Sequence, residues 1–248
     1  MRDIIVVIPA GGSGERFNDT EFINLKPFIN LLGKSMFEWL LIGFKSNKYN
    51  VEFKIIIREQ FKEQYIDEID YLTKKYNVDF HYINLVTEGT TSTALFLYDE
   101  MNNDDFLLLA NCDQIVDINF DDFLDEHFAL KVDGSILVFD NLTRENKWSY
   151  VKVDRNNMIE LVKAKDPISN LAVVGWYCYT KSKYFLSAGI KQIINLDKVN
   201  GEYYLCPTFN YLIKEGKKIG AIKISTSKMH AVGTPEDLRI YLSEKNAI

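Results

Sequence analysis

Short apolar runs alternate with amphipathic segments over the first half of the chain. Ile4–Ile8 and Phe106–Ala110 are continuous apolar runs, which are typical of strands buried on both faces. Segments with apolar residues every three or four positions separate such runs and predict helices. The further strands predicted in this half are Val51–Ile57, Phe80–Leu85 and Ser135–Asp140, and the helices are residues 36–47, 59–75, 90–101 and 121–130.

The second half of the chain has a less regular pattern. It predicts strands at 150–153, 159–162, 171–179 and 219–225, and helices at 182–194, 203–215 and 235–246. The βαβα order of the first half predicts an α/β fold with a mainly parallel sheet and helices on both faces. Without a repeat or a Pro/Gly-rich linker, the chain is predicted to form a single domain over residues 1–248.

The charge, cysteine content and apolar runs of the chain exclude several classes of binding partner. The chain has 248 residues, and its formal net charge of −6 is not that of a protein with the broad basic surface that binds nucleic acid. The three cysteines form no CxxC pair, so neither a zinc site nor a disulfide framework is indicated. No apolar run approaches the roughly 20 residues of a membrane span, and the first run is too short for a signal peptide. We expect a cytoplasmic protein without membrane or nucleic-acid partners.

A glycine-rich loop follows the first strand. Gly11, Gly12 and Gly14 come directly after it, Arg16 follows, and Lys26-Pro27 comes ten residues later. Glycines let backbone N–H groups approach an anion, while arginine and lysine bind phosphate oxygens. The loop is neither a dinucleotide fingerprint nor a P-loop, because Phe17 and Phe28 stand where those motifs need glycine. A nucleoside triphosphate is the natural ligand.

Asp113 follows the buried strand Phe106–Ala110. Ligands of parallel α/β sheets bind outside the carboxyl ends of the strands, so Asp113 and the glycine loop are expected in one crevice. A triphosphate brings Mg²⁺, which one or two carboxylates and phosphate oxygens usually hold. We therefore predict Mg²⁺ as the cofactor, although a turn-forming or helix-capping Asp113 is the alternative.

Five motifs occur in order along the chain: PAGGSGxRF, Lys26-Pro27, NCDQ, GEYY and GTPEDL. Together they resemble the nucleotidyltransferase family that makes NDP-sugars and related activated compounds. The resemblance implies a Rossmann-like fold, with residues 1–140 as the nucleotide-binding half and 141–248 as the acceptor-side half. The motifs look most like those of short family members that are associated with capsule and surface-polysaccharide synthesis. Some of these members use CTP and accept phosphorylated non-sugars such as phosphocholine or a phosphorylated amino acid.

The resemblance also implies roles for individual residues. Arg16 and Lys26 would be catalytic, Asp113 would bind the metal, and Lys165, Gly175 and Glu202 would bind the acceptor. The nucleotide would be bound by Pro9, Ala10, Gly11, Gly12, Ser13, Gly14, Arg16, Lys26, Asn84, Gly89 and Thr90. CTP is favoured, with UTP or dTTP possible.

Two positions depart from the pattern of sugar-specific relatives. Ala164 stands where many of them have an acid that holds sugar hydroxyls, and Ala231 stands where they often have a second metal-binding aspartate. Phosphate binding through Lys165 is expected to remain, while the acceptor is predicted to be an unusual sugar phosphate or a non-sugar.

Two other functions fit parts of the sequence. A glycosyltransferase of similar fold usually holds its metal with Asp-x-Asp, whereas this chain has Asp113-Gln114-Ile115. It would also leave Arg16 and Lys26-Pro27 unexplained. A non-catalytic nucleotide-binding regulator is the other alternative.

Overall fold

The structure is a computed structural model that describes residues 1–12, 17, 22 and 25–246. Its strands are β1 (Asp3–Pro9), β2 (Asn30–Leu31), β3 (Lys34–Ser35), β4 (Asn50–Arg58), β5 (Val78–Ile83), β6 (Phe106–Ala110), β7 (Gln114–Val116), β8 (Gly134–Asp140), β9 (Tyr150–Val153), β10 (Ile159–Lys163), β11 (Leu171–Tyr179), β12 (Ile219–Ile224) and β13 (Met229–Ala231). Its α-helices are α1 (Met36–Gly43), α2 (Ile66–Tyr76), α3 (Thr90–Ala94), α4 (Phe120–Leu130), α5 (Ser182–Ile194), α6 (Thr208–Lys214) and α7 (Pro235–Asn246). None of these described helices is both long and apolar enough to cross a membrane.

One mixed sheet contains strands from both halves of the chain. Its order is β10-β9-β11-β6-β1-β4-β5, and β8 joins β11 to β12. The strands β6, β1, β4 and β5 pair in parallel, as do β8 and β12. β11 runs antiparallel to β6, β8 and β9. The predicted α/β class is confirmed, with most parallel pairing in the first half; the single domain over 1–248 stays a prediction.

Strand β1 separates two hydrophobic cores because its side chains alternate between the faces of the sheet. Ile4, Val6 and Ile8 pack in a core with residues of α1, α2 and α4. Ile5 and Val7 pack on the other face with residues of α3, α5 and α6. Both faces of the sheet are therefore covered by helices, which explains why the sequence of β1 is apolar at consecutive positions.

The parallel pairing of β1 and β6 brings two loops to one edge of the sheet. Val7 of β1 is in register with Leu109 of β6, so the loop after Pro9 and the turn after Ala110 leave the sheet side by side. The short ribbon of β7 and β13 adjoins this edge, with Gln114 opposite Ala231. Three segments far apart in sequence thus meet at the carboxyl ends of the central strands.

Four predicted helices are shorter in the structure. The helix predicted at 36–47 ends at Gly43, and the one predicted at 90–101 is α-helical only to Ala94. The helix predicted at 59–75 begins only at Ile66, after a separate turn at Glu59–Phe61. The helix predicted at 203–215 is Thr208–Lys214, because the main chain of Tyr203 is bonded elsewhere. Its N–H donates to the Glu88 carbonyl at 2.7 Å, and its carbonyl accepts from the Thr91 N–H at 3.0 Å.

Candidate active site

A cavity of about 400 Å³ opens at this edge of the sheet. It contains main-chain and side-chain groups from both halves of the chain. The described residues that line it include Pro9, Ala10, Gly12, Leu25, Lys26, Pro27, Thr90, Asn111, Cys112, Asp113, Gln114, Lys147, Trp148, Ser149, Lys165, Val173, Tyr177, Glu202, Tyr204, Leu205, Ala231, Gly233, Thr234 and Asp237.

The start of the glycine loop forms one wall of this cavity. Pro9, Ala10 and Gly12 line it, whereas Gly11 lies against the adjacent helix. A Cβ atom on Gly11 would lie 2.7 Å from the Ile83 side chain and 3.1 Å from that of Thr93, so a larger residue would require these side chains to shift. Ser13, Gly14 and Arg16 lie outside the described residues, and their phosphate-binding roles stay predictions.

Lys26 and Asp113 form an ion pair in the cavity wall. The Lys26 Nζ lies 2.7 Å from Asp113 Oδ2, and the two side chains are only 13% and 19% exposed. Lys26 begins a 3₁₀ turn that Tyr65 anchors: the ring of Phe28 stacks on Tyr65 at 4.1 Å, and the Leu25 N–H donates to the Tyr65 hydroxyl at 2.7 Å. A rigid aromatic contact thus fixes the lysine beside the carboxylate.

The closing GTPEDL motif packs directly against Asp113. The Asp113 carbonyl accepts a hydrogen bond from the Val232 N–H at 3.0 Å. A Cβ on Gly233 would lie 3.0 Å from Asp113 Oδ2, so the glycine lets the backbone pass close to the carboxylate. The motif near the C-terminus therefore shapes the surroundings of a carboxylate more than a hundred positions earlier.

The oxygen donors of this cavity fit Mg²⁺. Asp113 offers a carboxylate, and the buried Oε1 of Gln114 has no hydrogen-bond partner among the residues that the structure describes. Mg²⁺ is commonly held by one or two carboxylates together with substrate phosphates, so a cage of protein ligands is not required. Among the described residues, the one group of three close potential ligands is Asp79, His81 and Glu100, which does not line the cavity.

Lys165 and Glu202 lie on the acceptor-side wall. Lys165 has a left-handed backbone with φ of 58°, a conformation that is uncommon for non-glycine residues and is often found at functional sites. Its ammonium donates a hydrogen bond to the carbonyl of Lys147 and lies 5.4 Å from the centre of the Tyr204 ring. Glu202 is exposed and lines the same cavity.

Two glycines predicted to bind ligands, Gly89 and Gly175, lie in close contact with neighbouring segments of the cavity wall. Gly89 has φ of 118°, and a Cβ there would lie 2.5 Å from the Tyr203 nitrogen. Gly175 has φ of 111°, and its Cβ would lie 2.6 Å from Gln114 Oε1 and 2.8 Å from Asn111 Nδ2. These glycines permit close contacts between the segments that form the wall, and neither is among its lining residues.

The cysteine and the buried tyrosine of the cavity are neutral at pH 7. Burial raises the pKa of the Cys112 thiol to about 11. Burial likewise raises the pKa of Tyr177 well above its usual range. Because a thiol must ionise to act as a strong nucleophile, Cys112 is not poised for covalent catalysis. All three cysteines are free.

The cavity thus contains eight residues that were predicted to bind a ligand or to act in catalysis: Pro9, Ala10, Gly12, Lys26, Thr90, Asp113, Lys165 and Glu202. Asn84 lies elsewhere, on a second cavity of about 710 Å³ that it shares with Arg58 and Val86. Sequence reasoning assigned no role to other lining residues, among them Asn111, Gln114, Lys147, Tyr177 and Asp237. Asn111 and Gln114 carried a signal because they lie in the NCDQ motif with Asp113, and Asp237 carried one because it lies in GTPEDL.

Comparison with known proteins agrees with the family resemblance of the motifs. The model of the nucleotidyl transferase family matches residues 5–239. A nucleoside-diphosphate-sugar pyrophosphorylase from Vibrio cholerae has a similar structure, with a TM-score of 0.80 and 21% identity over 96% of this chain and 99% of that one.

Two further structures resemble the chain at similar coverage. The inositol-1-phosphate CTP transferase from T. maritima has a TM-score of 0.75 and 16% identity, over 99% of this chain and 96% of that one. The CTP:phosphocholine cytidylyltransferase from Streptococcus pneumoniae has a TM-score of 0.74 and 15% identity, over 99% and 100%. At these identities the similarity establishes the Rossmann-like fold alone. A search of curated proteins found no significant match.

Proposed function

Since the chain belongs to the nucleotidyl transferase family, we propose that it transfers a nucleotidyl group from an NTP to a phosphorylated small molecule and releases pyrophosphate. The family resemblance predicted from the motifs, and with it a nucleotidyltransferase enzyme, is confirmed. One observation carries the detailed proposal: Lys26, Asp113 and Lys165 open onto the same cavity as the Pro9–Gly12 backbone.

The proposed reaction is a direct displacement at phosphorus. An oxygen of the acceptor phosphate attacks the α-phosphorus of the NTP and forms a new P–O bond, while the bond to the β-phosphate breaks and pyrophosphate leaves. The acceptor phosphate is already ionised at pH 7, so no covalent enzyme intermediate is needed. Catalysis then depends mainly on positioning and on stabilisation of charge.

Each residue has a distinct proposed task. Lys26 would donate to the α-phosphate, where negative charge increases in the transition state, and Lys165 would bind the acceptor phosphate. Asp113 would hold Mg²⁺, which, when bound, neutralises charge on the phosphates. Arg16 and the amides of the glycine loop are proposed to hold the leaving β- and γ-phosphates. Thr90 and Glu202 would contact the nucleotide and the acceptor, respectively.

We propose CTP as the preferred nucleotide, with UTP or dTTP as alternatives. Two structurally similar enzymes carry CTP in their names, and their acceptors are inositol 1-phosphate and phosphocholine. Ala164 is buried and lines a different cavity, so this position gives no information on the acceptor. Ala231 does line the active-site cavity, where sugar-specific relatives often have an acid, and we therefore propose an unusual sugar phosphate or a non-sugar acceptor. The product would be used in the cytoplasm for capsule or surface-polysaccharide synthesis.

Pyrophosphate release tests the proposal. Each of the four NTPs is combined with Mg²⁺ and with glucose 1-phosphate, inositol 1-phosphate, phosphocholine or a phosphorylated amino acid. We expect release with CTP and one phosphorylated acceptor. Lys26→Ala should lower kcat by about 10²–10³, the usual loss for one transition-state contact, with the fold intact by circular dichroism. No release from any combination, or native turnover by Lys26→Ala, would count against the proposal.

A further inference from the structure

Lys147 lines the acceptor side of the cavity, although nothing in the sequence singled it out. It lies in the turn before β9. Its Nζ is 3.1 Å from Asp237 Oδ1 at the start of α7 and 3.2 Å from Glu145 Oε2. The Lys147–Asp237 contact joins the turn before β9 to the closing motif, ninety positions later.

The main chain of Lys147 is tied to the neighbouring cavity lysine. The ammonium of Lys165 donates to the Lys147 carbonyl, so the two residues lie side by side on one wall. The adjacent Trp148 packs edge-on against Phe139, with ring centres 5.2 Å apart, and this contact anchors the turn. The position of Lys147 is thus set by packing as well as by its ion pairs.

The charged groups around the cavity indicate how Lys147 affects a bound phosphate. Lys26 faces Asp113, and Lys147 faces Asp237, whose side chain is only 11% exposed. Without an adjacent cation, the Asp237 carboxylate would repel a phosphate dianion from this wall. Lys147 therefore removes a repulsion that would otherwise act against the acceptor.

Lys147 also has donor capacity for a ligand. An ammonium has three N–H donors, and within the described part of the chain two of them face Asp237 and Glu145. Burial acts to lower the pKa of Lys147, but its hydrogen bonds to the two carboxylates outweigh burial, so the pKa is raised. The side chain is consequently charged at neutral pH. Its ammonium also lies 5.5 Å from the centre of the Trp148 ring, and its third N–H can donate to a further oxygen.

We propose that Lys147 is a second cation for the acceptor phosphate and binds it together with Lys165. The proposal rests on the nucleotidyl transfer described above and narrows its acceptor to a phosphomonoester dianion. Two ammonium groups on one wall match the charge and the three terminal oxygens of such a phosphate. Asp237 and Glu145 hold the Lys147 ammonium in place, so that it stays paired while it binds the phosphate.

Inorganic phosphate is the probe that tests this role. The protein is saturated with Mg²⁺ and α,β-methylene CTP, which occupies the nucleotide side without reacting, and phosphate is titrated by calorimetry or ³¹P NMR. Lys147→Met should weaken phosphate binding at least about tenfold, as expected for the loss of a hydrogen bond between charged groups. Lys147→Arg should restore most of the affinity, and binding of the CTP analogue should not change.

Lys163→Met is the matched control. Lys163 is exposed at the end of β10 and lines a different cavity, so this variant makes the same change in charge without touching the proposed site. It should bind phosphate like the native protein. Native affinity in Lys147→Met, an equal loss in Lys163→Met, or no phosphate binding by the native protein would overturn the proposal. Lys147-dependent phosphate binding without pyrophosphate release from any substrate pair would instead reject the proposed function.

Discussion

The ion pair between Lys26 and Asp113 places two predicted functions in direct competition. The Lys26 ammonium lies 2.7 Å from the oxygen that would bind a divalent cation. Lys26→Met should therefore bind Mn²⁺ without nucleotide about tenfold more tightly than the native protein, a change of about 1.4 kcal/mol. Electron paramagnetic resonance of free Mn²⁺ measures this affinity directly and does not depend on turnover.

Two variants make the metal measurement specific. Adding Asp113→Asn to Lys26→Met should abolish the gain, because the charged ligand is then lost. Lys163→Met should leave Mn²⁺ binding at the native level, since its side chain is exposed and does not line the cavity. If Lys26→Met binds Mn²⁺ no more tightly than the native protein, the ammonium and the metal do not share Asp113.

The sequence could predict the chemistry of single residues better than their contacts. Lys26 and Asp113 stood out because of a motif and a strand end, but their pairing spans 87 positions and requires β1 and β6 to be neighbours. Neither Lys147 nor Asp237 was assigned a role, although Asp237 lies in the GTPEDL motif, because nothing local shows that a turn and a helix start meet across a cavity. Such partners become visible only once the topology is known.

At the scale of secondary-structure elements, the length of a strand decided whether the sequence could predict it. Strands such as Phe106–Ala110 and Leu171–Tyr179 have the predicted bounds, because five or more apolar residues give a clear signal. The strands β2, β3, β7 and β13 have two or three residues, too few for a periodic pattern. The helix predicted from residue 203 begins later in the structure, because the main chain of Tyr203 packs closely against Gly89. No local sequence pattern encodes this tertiary contact.

Helix α4 carries a buried histidine against β8. The Thr180 hydroxyl donates its proton to the Val132 carbonyl, so the Thr180 oxygen accepts a hydrogen bond from His127 Nε2 at 3.3 Å. Because Nε2 carries the proton, His127 Nδ1 accepts a hydrogen bond from the Ser135 hydroxyl at 2.7 Å. This arrangement suits a neutral imidazole. Burial, with a smaller contribution from the charge of Arg2, lowers the pKa of His127 from 6.5 to about 4.

The histidine makes the free energy of unfolding depend on pH. Between pH 6.5 and 4 the unfolded chain binds a proton at His127 and the folded chain does not, so stability falls as the pH falls. We expect His127 alone to account for a loss of about 3 kcal/mol by pH 4. Urea unfolding of the native protein and of His127→Gln at pH 7, 6 and 5 measures this contribution.

The comparison of the native protein with His127→Gln separates the contribution of His127 to pH-dependent stability from that of the carboxylates. Acidic groups titrate in the same range, but they are unchanged in His127→Gln, so the difference between the two stability curves belongs to the histidine. The gap between native and variant should narrow as the pH is lowered from 7 to 5. Parallel curves would show that His127 is not held neutral in the folded protein.

At the scale of the whole molecule, the cavity connects the two halves of the chain. β11, from the second half, pairs with β6 of the first, and residues from both halves line the cavity. The predicted single domain implies that a ligand bound there stabilises both halves together. Binding energy should then appear in one cooperative unfolding transition, rather than in a part of the protein.

Differential scanning calorimetry with each NTP and Mg²⁺ tests this implication and the preferred base together. A nucleotide at a concentration of 100 times its Kd adds about 2.7 kcal/mol of stability, which corresponds to a rise in Tm of about 5–10 °C for a chain of this size. We expect CTP to give the largest rise and the entire unfolding enthalpy to move with it. A larger rise with another NTP would reject CTP as the preferred nucleotide. A transition that splits, with only one part moving, would show that the halves unfold as separate domains and that the nucleotide is bound by one of them.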